Sequence, residues 1–495
     1  MCGIAGIFDL DQTRDIDRAL LDRMNQSQFH RGPDEGGLHV EPGVGLGHRR
    51  LSIIDLSSGQ QPMHSADGNL CVVYNGEIYN FAELREDLTA QGYTFRTRCD
   101  TEVILYAWQA WGESCVDQFR GMFAFALFDR AAQSLFLARD RLGIKPLYYA
   151  ILSDGHLIFG SELKVLKQHP GLPRAVDASA IEDYFALGYI PEPKTIYSGV
   201  QKLQPGHTLR FRRGAARPVQ RPYWDLHFRD TSRRDERQIA EELVERLREA
   251  VDIRLVAEVP LGAFLSGGVD SSAVVAMMAQ LQDEPVNTCA IGFDVKQFDE
   301  TDYARMVAER YATNHFEQQV ASEDFDLVDT LGSLYDEPYA DSSAIPTYRV
   351  CELARQRVTV ALSGDGGDEH FAGYRRYRWH MNEERLRARL PLGLRRALFG
   401  TLGRLYPKAD WAPRVFRAKT TFQALARDSV EAYMHTVSQT SEMQRDALFS
   451  ASLKRRLAGY RAIDLFHAHA QAAGTDDPLS LIQYLDTKTY LVGDI

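Results

Sequence analysis

The chain has 495 residues, enough for two or three domains with real cores. A hydrophobic share of 44% and a charged share of 25% are those of a globular protein, and no run of about 20 apolar residues offers a transmembrane helix. A net charge of −11 excludes a general nucleic-acid binder, and six scattered cysteines without a C-x-x-C pair point to free thiols in a reducing cytoplasm.

The opening residues, MCGIAGIFDLD, have no basic region and only a short apolar stretch, so no secretory signal is expected. Over the first two hundred residues, strand-like runs are broken by turns: CGIAGIF, GVGLGHRRLSII, LCVVYNGEIYN, FAFALFD, SLFLARD and LIFGSE. Helical spacing occupies 81–91 and 101–112, the second with Thr101 as its N-cap. This is an α+β pattern built on antiparallel sheets. From 199 to 225 the chain reads as irregular and basic, and the domain boundary is expected there, near 213–223.

A helix over 236–255 leads into VPLGAFLSGGVDSSAVVA (259–276), the stretch that organises the second half. A short apolar run reads as a buried strand, breaks at Ser266-Gly267-Gly268-Val269-Asp270-Ser271-Ser272, and resumes as a helix from Ala273. Glycines at such a turn let the backbone approach a ligand, and a helix N-terminus offers N–H groups to an anion. Ser266, Ser271 and Ser272 add hydroxyl donors, while GxxxxGK[ST] is absent, so this is not a Walker A loop. Asp270 would repel a phosphate unless a cation bridged them, which points to Mg²⁺.

Beyond it follow a strand over 286–293, a helix over 301–311 and a second strand-loop, VTVALSGDGGDEHFAGY. The alternation predicts a parallel, Rossmann-like sheet with both glycine loops at its carboxyl edge. Four acidic side chains, Asp270, Asp365, Asp368 and Glu369, would then surround a nucleotide and again require Mg²⁺. The arginine-dense run from 375 to 427 reads as solvated helix faces.

Cys2 follows Met1, whose removal its small side chain favours, and the mature chain would begin with a cysteine. Such a residue carries nucleophile and base together, because its α-amine can take the thiol proton. With HRGPDEGG (30–37), GHRRLSIID (47–55), YNGEIYNF (74–81) and CDTEVIL (99–105), the first 210 residues resemble the class II, N-terminal nucleophile glutamine amidotransferases. The resemblance implies an αββα sandwich in which Cys2 forms a glutamyl thioester and releases ammonia. It makes Asn75 and Gly76 the oxyanion hole and Arg50 the clamp on the glutamine α-carboxylate. Glu77 and Asp100 would hold its α-ammonium, with Leu51 and Ile53 also lining the site. His30 and His48 are expected to be structural.

The SGGVDSS loop resembles the pyrophosphate-binding signature of the ATP pyrophosphatases. Joined to the amidotransferase half, it makes the whole chain similar to the glutamine-dependent asparagine synthetases. That resemblance implies ATP contacts from Leu265, Ser266, Gly267, Gly268, Asp270, Ser271, Ser272, Ile291, Ser363 and Gly364, with Asp270 and Asp368 serving Mg²⁺-pyrophosphate. It links Asp365, where relatives often carry glutamate, to formation of the β-aspartyl-AMP intermediate. The implied domains are 2–213 (amidotransferase), 214–235 (linker) and 236–495 (synthetase). The implied partners are glutamine, ATP and aspartate or another carboxylate, with a homodimer as a possible assembly and a cytoplasmic setting.

GLGHRRLSIIDLSSGQQPM and ALGYIPEPKTIY (186–197) resemble, more narrowly, the amidotransferases associated with exosortase and exopolysaccharide clusters, whose acceptor is less settled. A β-lactam synthetase-like role is disfavoured by Cys2, and a non-catalytic partner role by the intact motifs. DTKTYLVGDI reads as ending inside a helix, so a continuation past Ile495 is expected.

Overall fold

A computed structural model of the chain describes residues 1–11, 13–215, 217–228, 235–297, 299–320, 325–407 and 418–494. Two antiparallel sheets and one parallel sheet organise them. The first sheet runs in the order β10 (Val200–Lys202), β8 (Tyr148–Ile151), β9 (His156–Gly160), β1 (Gly3–Asp9), β3 (Val44–Arg50), β2 (Glu35–Glu41). The second runs β12 (Val219–Pro222), β11 (His207–Arg212), β7 (Ser134–Arg139), β6 (Gly121–Asp129), β5 (Leu70–Ile78), β4 (Met63–His64).

The alternation along single strands dictates how these sheets are layered. In β6, Phe123, Phe125 and Leu127 point to one core, while Ala124, Ala126 and Phe128 point to another. A strand apolar on both faces must be covered on both. The first face packs on the helices Phe81–Ala90 and Thr101–Trp111, through Leu84, Leu88, Val103 and Ile104. The second packs on the first sheet, where Ile4 and Phe8 of β1 meet Val73 and Leu137. The opposite face of β1, Ala5 and Ile7, lies on Leu20, Leu21 and Met24 of the helix Arg18–Gln26. Helix, sheet, sheet, helix: this is the expected αββα sandwich. Each fully buried Phe or Leu contributes about 1.5–3 kcal/mol to holding it.

The third sheet is parallel, in the order β15 (Asn314–Val320), β14 (Asn287–Phe293), β13 (Leu261–Phe264), β16 (Val360–Leu362). The chain adds strands to one side of β13 and then returns to its other side. A crevice at the carboxyl ends of β13 and β16 is the necessary result, and it is where open α/β sheets bind ligands. The two halves also touch. Helix Ala178–Leu187 supplies Glu182 to a buried ion pair with Arg445 at 3.0 Å. Ile196 N–H donates to Glu337 at 3.0 Å. No described helix is long and apolar enough to cross a membrane.

Several expectations need correction. The stretch 199–225 is not irregular: it forms β10, β11 and β12, and β12 carries the second sheet past residue 213. In β11 the alternation of Leu209 and Phe211 was masked by Arg210 and Arg212 between and beyond them. Thr101 is the first residue of its helix, and Asp100 stands at the N-cap, its side chain engaged elsewhere. The helix before the glycine loop ends at Asp252, and the one after it begins at Val269, a turn before Ala273. In the arginine-dense run, Arg387 and Arg395 are buried rather than solvated. Arg387 pairs with Glu383 and Glu384 at 2.6 Å, and Arg395 caps the carbonyls of Leu390, Leu425 and Arg427. Residues 408–417 of that run, 216 and 229–234 of the expected linker, and Ile495 lie outside the described residues.

Candidate active sites

Cys2 sits at the mouth of the sandwich, immediately before β1. Its Sγ receives the Leu51 N–H at 3.4 Å and lies 3.6 Å from the Leu51 carbonyl. Its own carbonyl accepts from Arg31 Nε at 2.9 Å, and Arg31 is fixed by Glu162 at 2.9 Å. Burial pushes the thiol up, against the opposing pull of the Leu51 N–H, the chain's amino group, Arg50 and Lys145. Burial also lowers the Met1 amino group to about 5.

Strand β5 carries the partners. Its register places Asn75 opposite Ala124 and Gly76 opposite Phe123. A Cβ at Gly76 would stand 2.2 Å from the Met122 carbonyl, so no side chain fits there. Asn75 is buried, and its Nδ2 has no hydrogen-bond partner. An orphaned amide donor is uncommon in a protein interior. Two residues on, Glu77 is pushed up to about 7, first by burial and next by the charge of Asp100. Asp100 Oδ2 accepts from the Tyr74 hydroxyl at 2.7 Å and the Ile78 N–H at 3.0 Å, and burial raises its pKa. Two buried carboxylates side by side make a place for a cation.

Arg50, at the end of β3, donates to the carbonyls of Ile54 at 3.2 Å and Asp55 at 2.6 Å and reaches Glu35 at 3.1 Å. The 51–56 loop is pinned from the second half of the chain. Glu258 N–H donates to the Ile53 carbonyl at 2.9 Å, and its carboxylate accepts from Asp55 and Leu56 at 3.1 and 3.4 Å. His48 Nε2 donates to the Tyr74 carbonyl at 3.0 Å, and burial holds its pKa near 3, so it stays neutral. His30 pairs with Glu162. Lys145 was missed from the sequence: it is buried, its charge acts on Cys2 and Glu77, and no carboxylate among the described residues lies within ion-pair distance of it. A lysine inside the apolar run LGIKPLYY was the available signal.

The second site lies at the crevice between β13 and β16. Leu265 is buried and bonds to the Cys289 carbonyl at 2.9 Å, while Ile291 lies on the neighbouring β14. Gly267 adopts φ +82°, and a Cβ there would meet Tyr303 at 2.5 Å, so the turn requires glycine. The Ser266 and Ser271 hydroxyls hold one another at 3.0 Å. Gly268 caps the helix Val269–Leu281, whose first turn includes Asp270 and Ser272.

The two glycine loops touch. A Cβ on Gly364 would stand 2.7 Å from the Ser271 nitrogen, and one on Gly367 would stand 2.6 Å from the Asp270 carboxyl carbon. Burial, then the charge of Asp368, raises Asp270. Two facing carboxylates in an oxygen-rich cradle fit a hard cation such as Mg²⁺. Asp365 is exposed and accepts from the Ser363 hydroxyl at 2.8 Å. Glu369 does not join them: it is buried and accepts from Tyr374 at 2.6 Å.

Comparison with known proteins accounts for both halves. A glutamine amidotransferase domain model matches residues 1–224, and an asparagine synthase model matches residues 242–495. Asparagine synthetase [glutamine-hydrolyzing] 1 of Bacillus subtilis (strain 168) is 33% identical over 100% of this chain and 76% of its own length. A Methanocaldococcus jannaschii protein is 40% identical over 76% of each chain. Sandwich and parallel sheet together thus define a glutamine-dependent amidotransferase. The chain belongs to the glutamine-hydrolysing asparagine synthetase family of carbon–nitrogen ligases, in which ATP use is implied.

Proposed function

We propose that this protein hydrolyses glutamine at Cys2 and spends the ammonia on aspartate activated by ATP, giving asparagine, AMP and pyrophosphate. The amidotransferase unit would span 2–213, the connection 214–235 and the synthetase unit 236–495. Five of the six free cysteines are at least partly buried, in keeping with a cytoplasmic enzyme. The observation that carries the reading is Asn75 Nδ2, a buried donor left without a partner beside Gly76 on the strand facing the thiol site.

Loss of Met1 gives Cys2 its own α-amine, which takes the thiol proton. The thiolate attacks the side-chain amide carbon of glutamine and a carbon–sulfur bond forms. Negative charge develops on the carbonyl oxygen, where Asn75 Nδ2 and the Gly76 N–H are the donors. Collapse breaks the carbon–nitrogen bond as the amine returns the proton to the leaving nitrogen. Water then splits the thioester to glutamate and free thiol. Arg50, already oriented by two carbonyls, holds the substrate carboxylate by displacing the half-exposed Glu35. Glu77 and Asp100 hold the substrate ammonium, and Leu51 and Ile53 line the pocket.

In the second site the acceptor carboxylate attacks the α-phosphorus of ATP and displaces pyrophosphate. Ammonia then attacks the acyl carbon and displaces AMP. Ser266, Gly267, Gly268, Ser271 and Ser272 cradle the phosphates, while Leu265, Ile291, Ser363 and Gly364 border the adenosine. Asp270 and Asp368 would hold Mg²⁺, which supplies neutralisation of the pyrophosphate charge when bound. Asp365 lies beside the reacting carboxylate.

Incubating the protein with glutamine, ATP, Mg²⁺ and aspartate should yield asparagine with AMP and pyrophosphate; turnover of glutamine without any asparagine would refute the acceptor. A second reading, amidation of another carboxylate, draws on Asp365. It is tied back to Ser363 and is one methylene shorter than the glutamate that the resemblance leads one to expect.

A further inference from the structure

The edges of the two antiparallel sheets meet where β2 ends one and β4 ends the other. His39 of β2, His64 of β4 and Cys71 of β5 converge there, offering one ligand atom each, all within 4.8 Å of one another. Cys71 is the ladder partner of His64, which fixes the two as cross-strand neighbours, and Sγ lies 3.8 Å from Nε2. His39 reaches over from the other sheet, its ring edge-on to His64 with centroids 4.9 Å apart. Its Nε2 is buried and makes no hydrogen bond. Glu41 Oε2 stands 3.3 Å from that nitrogen, in a direction that makes an ion-pair approach but no hydrogen bond, and is held by Arg130.

We propose that His39, His64 and Cys71 form a Zn²⁺ site that clips the edge of the first sheet to the edge of the second. Imidazole nitrogen and thiolate sulfur are ligand atoms that zinc takes, and a structural site completes them with a fourth ligand to a tetrahedron. Glu41, two residues along the same strand and therefore on the same face as His39, offers the fourth ligand. Tetrahedral zinc bonds of 2.0–2.3 Å place ligand atoms roughly 3.3–3.6 Å apart, so the widest spacing here closes by roughly 1–1.5 Å on binding. The site is structural rather than catalytic. His39 lies four residues along β2 from Glu35, the partner of Arg50, which is roughly 13 Å at the rise of a strand. Sheet edges are where unpaired backbone invites foreign pairing, and a metal clip closes this one.

The test uses the whole chain, stripped with a chelator and desalted. Loading with Zn²⁺ should leave one equivalent bound by elemental analysis and raise the melting temperature. Loading with Co²⁺ should produce a thiolate-to-cobalt charge-transfer absorption, which an oxygen-lined Mg²⁺ site cannot give. His39→Ala and His64→Ala should each lose the bound zinc and the absorption while keeping glutaminase activity. These two carry the test, because Cys71 is a core residue and Cys71→Ser can fail to fold. Cys2→Ala should keep the absorption. Absence of retained zinc, an absorption that survives both histidine variants, or one that vanishes with Cys2→Ala would each overturn the proposal.

Discussion

Replacing Asn75 by alanine separates catalysis from folding more cleanly than any other change to this chain. Its Nδ2 is buried and unbonded at rest, so removing it breaks no hydrogen bond at that atom. The backbone ladder to Ala124 is untouched. Relief of a buried unsatisfied donor, worth about 1–3 kcal/mol, offsets the packing lost with the side chain, and the net change in stability stays within about 1 kcal/mol. The amide gains its bond only as charge develops on the substrate oxygen. Its loss therefore falls on kcat, by roughly 10²–10³, or about 2.7–4 kcal/mol of transition-state stabilisation. The assay is glutamate release under saturating glutamine, with a melting curve and ammonia-supported synthesis measured alongside. A loss under about tenfold, or a rise in KM with kcat unchanged, would refute the oxyanion role.

Cys2→Ala should abolish glutamine hydrolysis and spare synthesis from added ammonia; equal loss of both would make Cys2 a structural residue. Glu77 ionises near pH 7, and below that its neutral form no longer attracts an ammonium. The value of kcat/KM for glutamine should thus fall as pH drops through about 7, and Glu77→Gln should be low and flat across that range. A profile unchanged by the substitution would remove Glu77 from the site. Asp270→Asn should weaken Mg²⁺-dependent ATP–pyrophosphate exchange and leave glutaminase intact, so an equal fall in both activities would contradict the separation of the sites. Glu258→Ala removes the carboxylate that accepts from Asp55 and Leu56 and leaves the 51–56 loop tied to the second half only through the backbone bond to Ile53. It should raise the glutamine KM severalfold without altering ammonia-supported synthesis, and an unchanged KM would show that the contact is incidental.

The sequence made most of the architecture legible, because strands such as β6 and β13 are strongly apolar and bounded by glycines or turns. That the sheet around β13 is parallel followed from the strand-loop-helix alternation, while the order of its strands did not. What the sequence hid were strands that carry charge: in β11 the buried Leu209 and Phe211 alternate with Arg210 and Arg212, which swamp the signal, and β12 is largely exposed and has no apolar face to announce it. Buried arginines were hidden for the opposite reason. Arg395 satisfies the nearby Leu390 carbonyl and two distant ones, of Leu425 and Arg427, and no local pattern announces that. At the sites, local motifs supplied the residues on loops and strands. Glu258 was not legible, since it acts on a loop far away along the chain, whereas Lys145 left only the signal of a lysine in an apolar run and none of the distant groups its charge acts on. Glu369 was misjudged because DGGDE gives no hint that its last carboxylate turns inward to Tyr374.

The central claim is that one chain moves nitrogen from glutamine to aspartate at the expense of the α–β bond of ATP. Glutamine carrying heavy nitrogen in its side-chain amide tests it most directly, with aspartate, ATP and Mg²⁺ present and products followed by mass spectrometry and phosphorus resonance. Labelled asparagine should appear with one AMP and one pyrophosphate for each molecule formed. Label confined to free ammonia, or ATP leaving as ADP and orthophosphate, would contradict it.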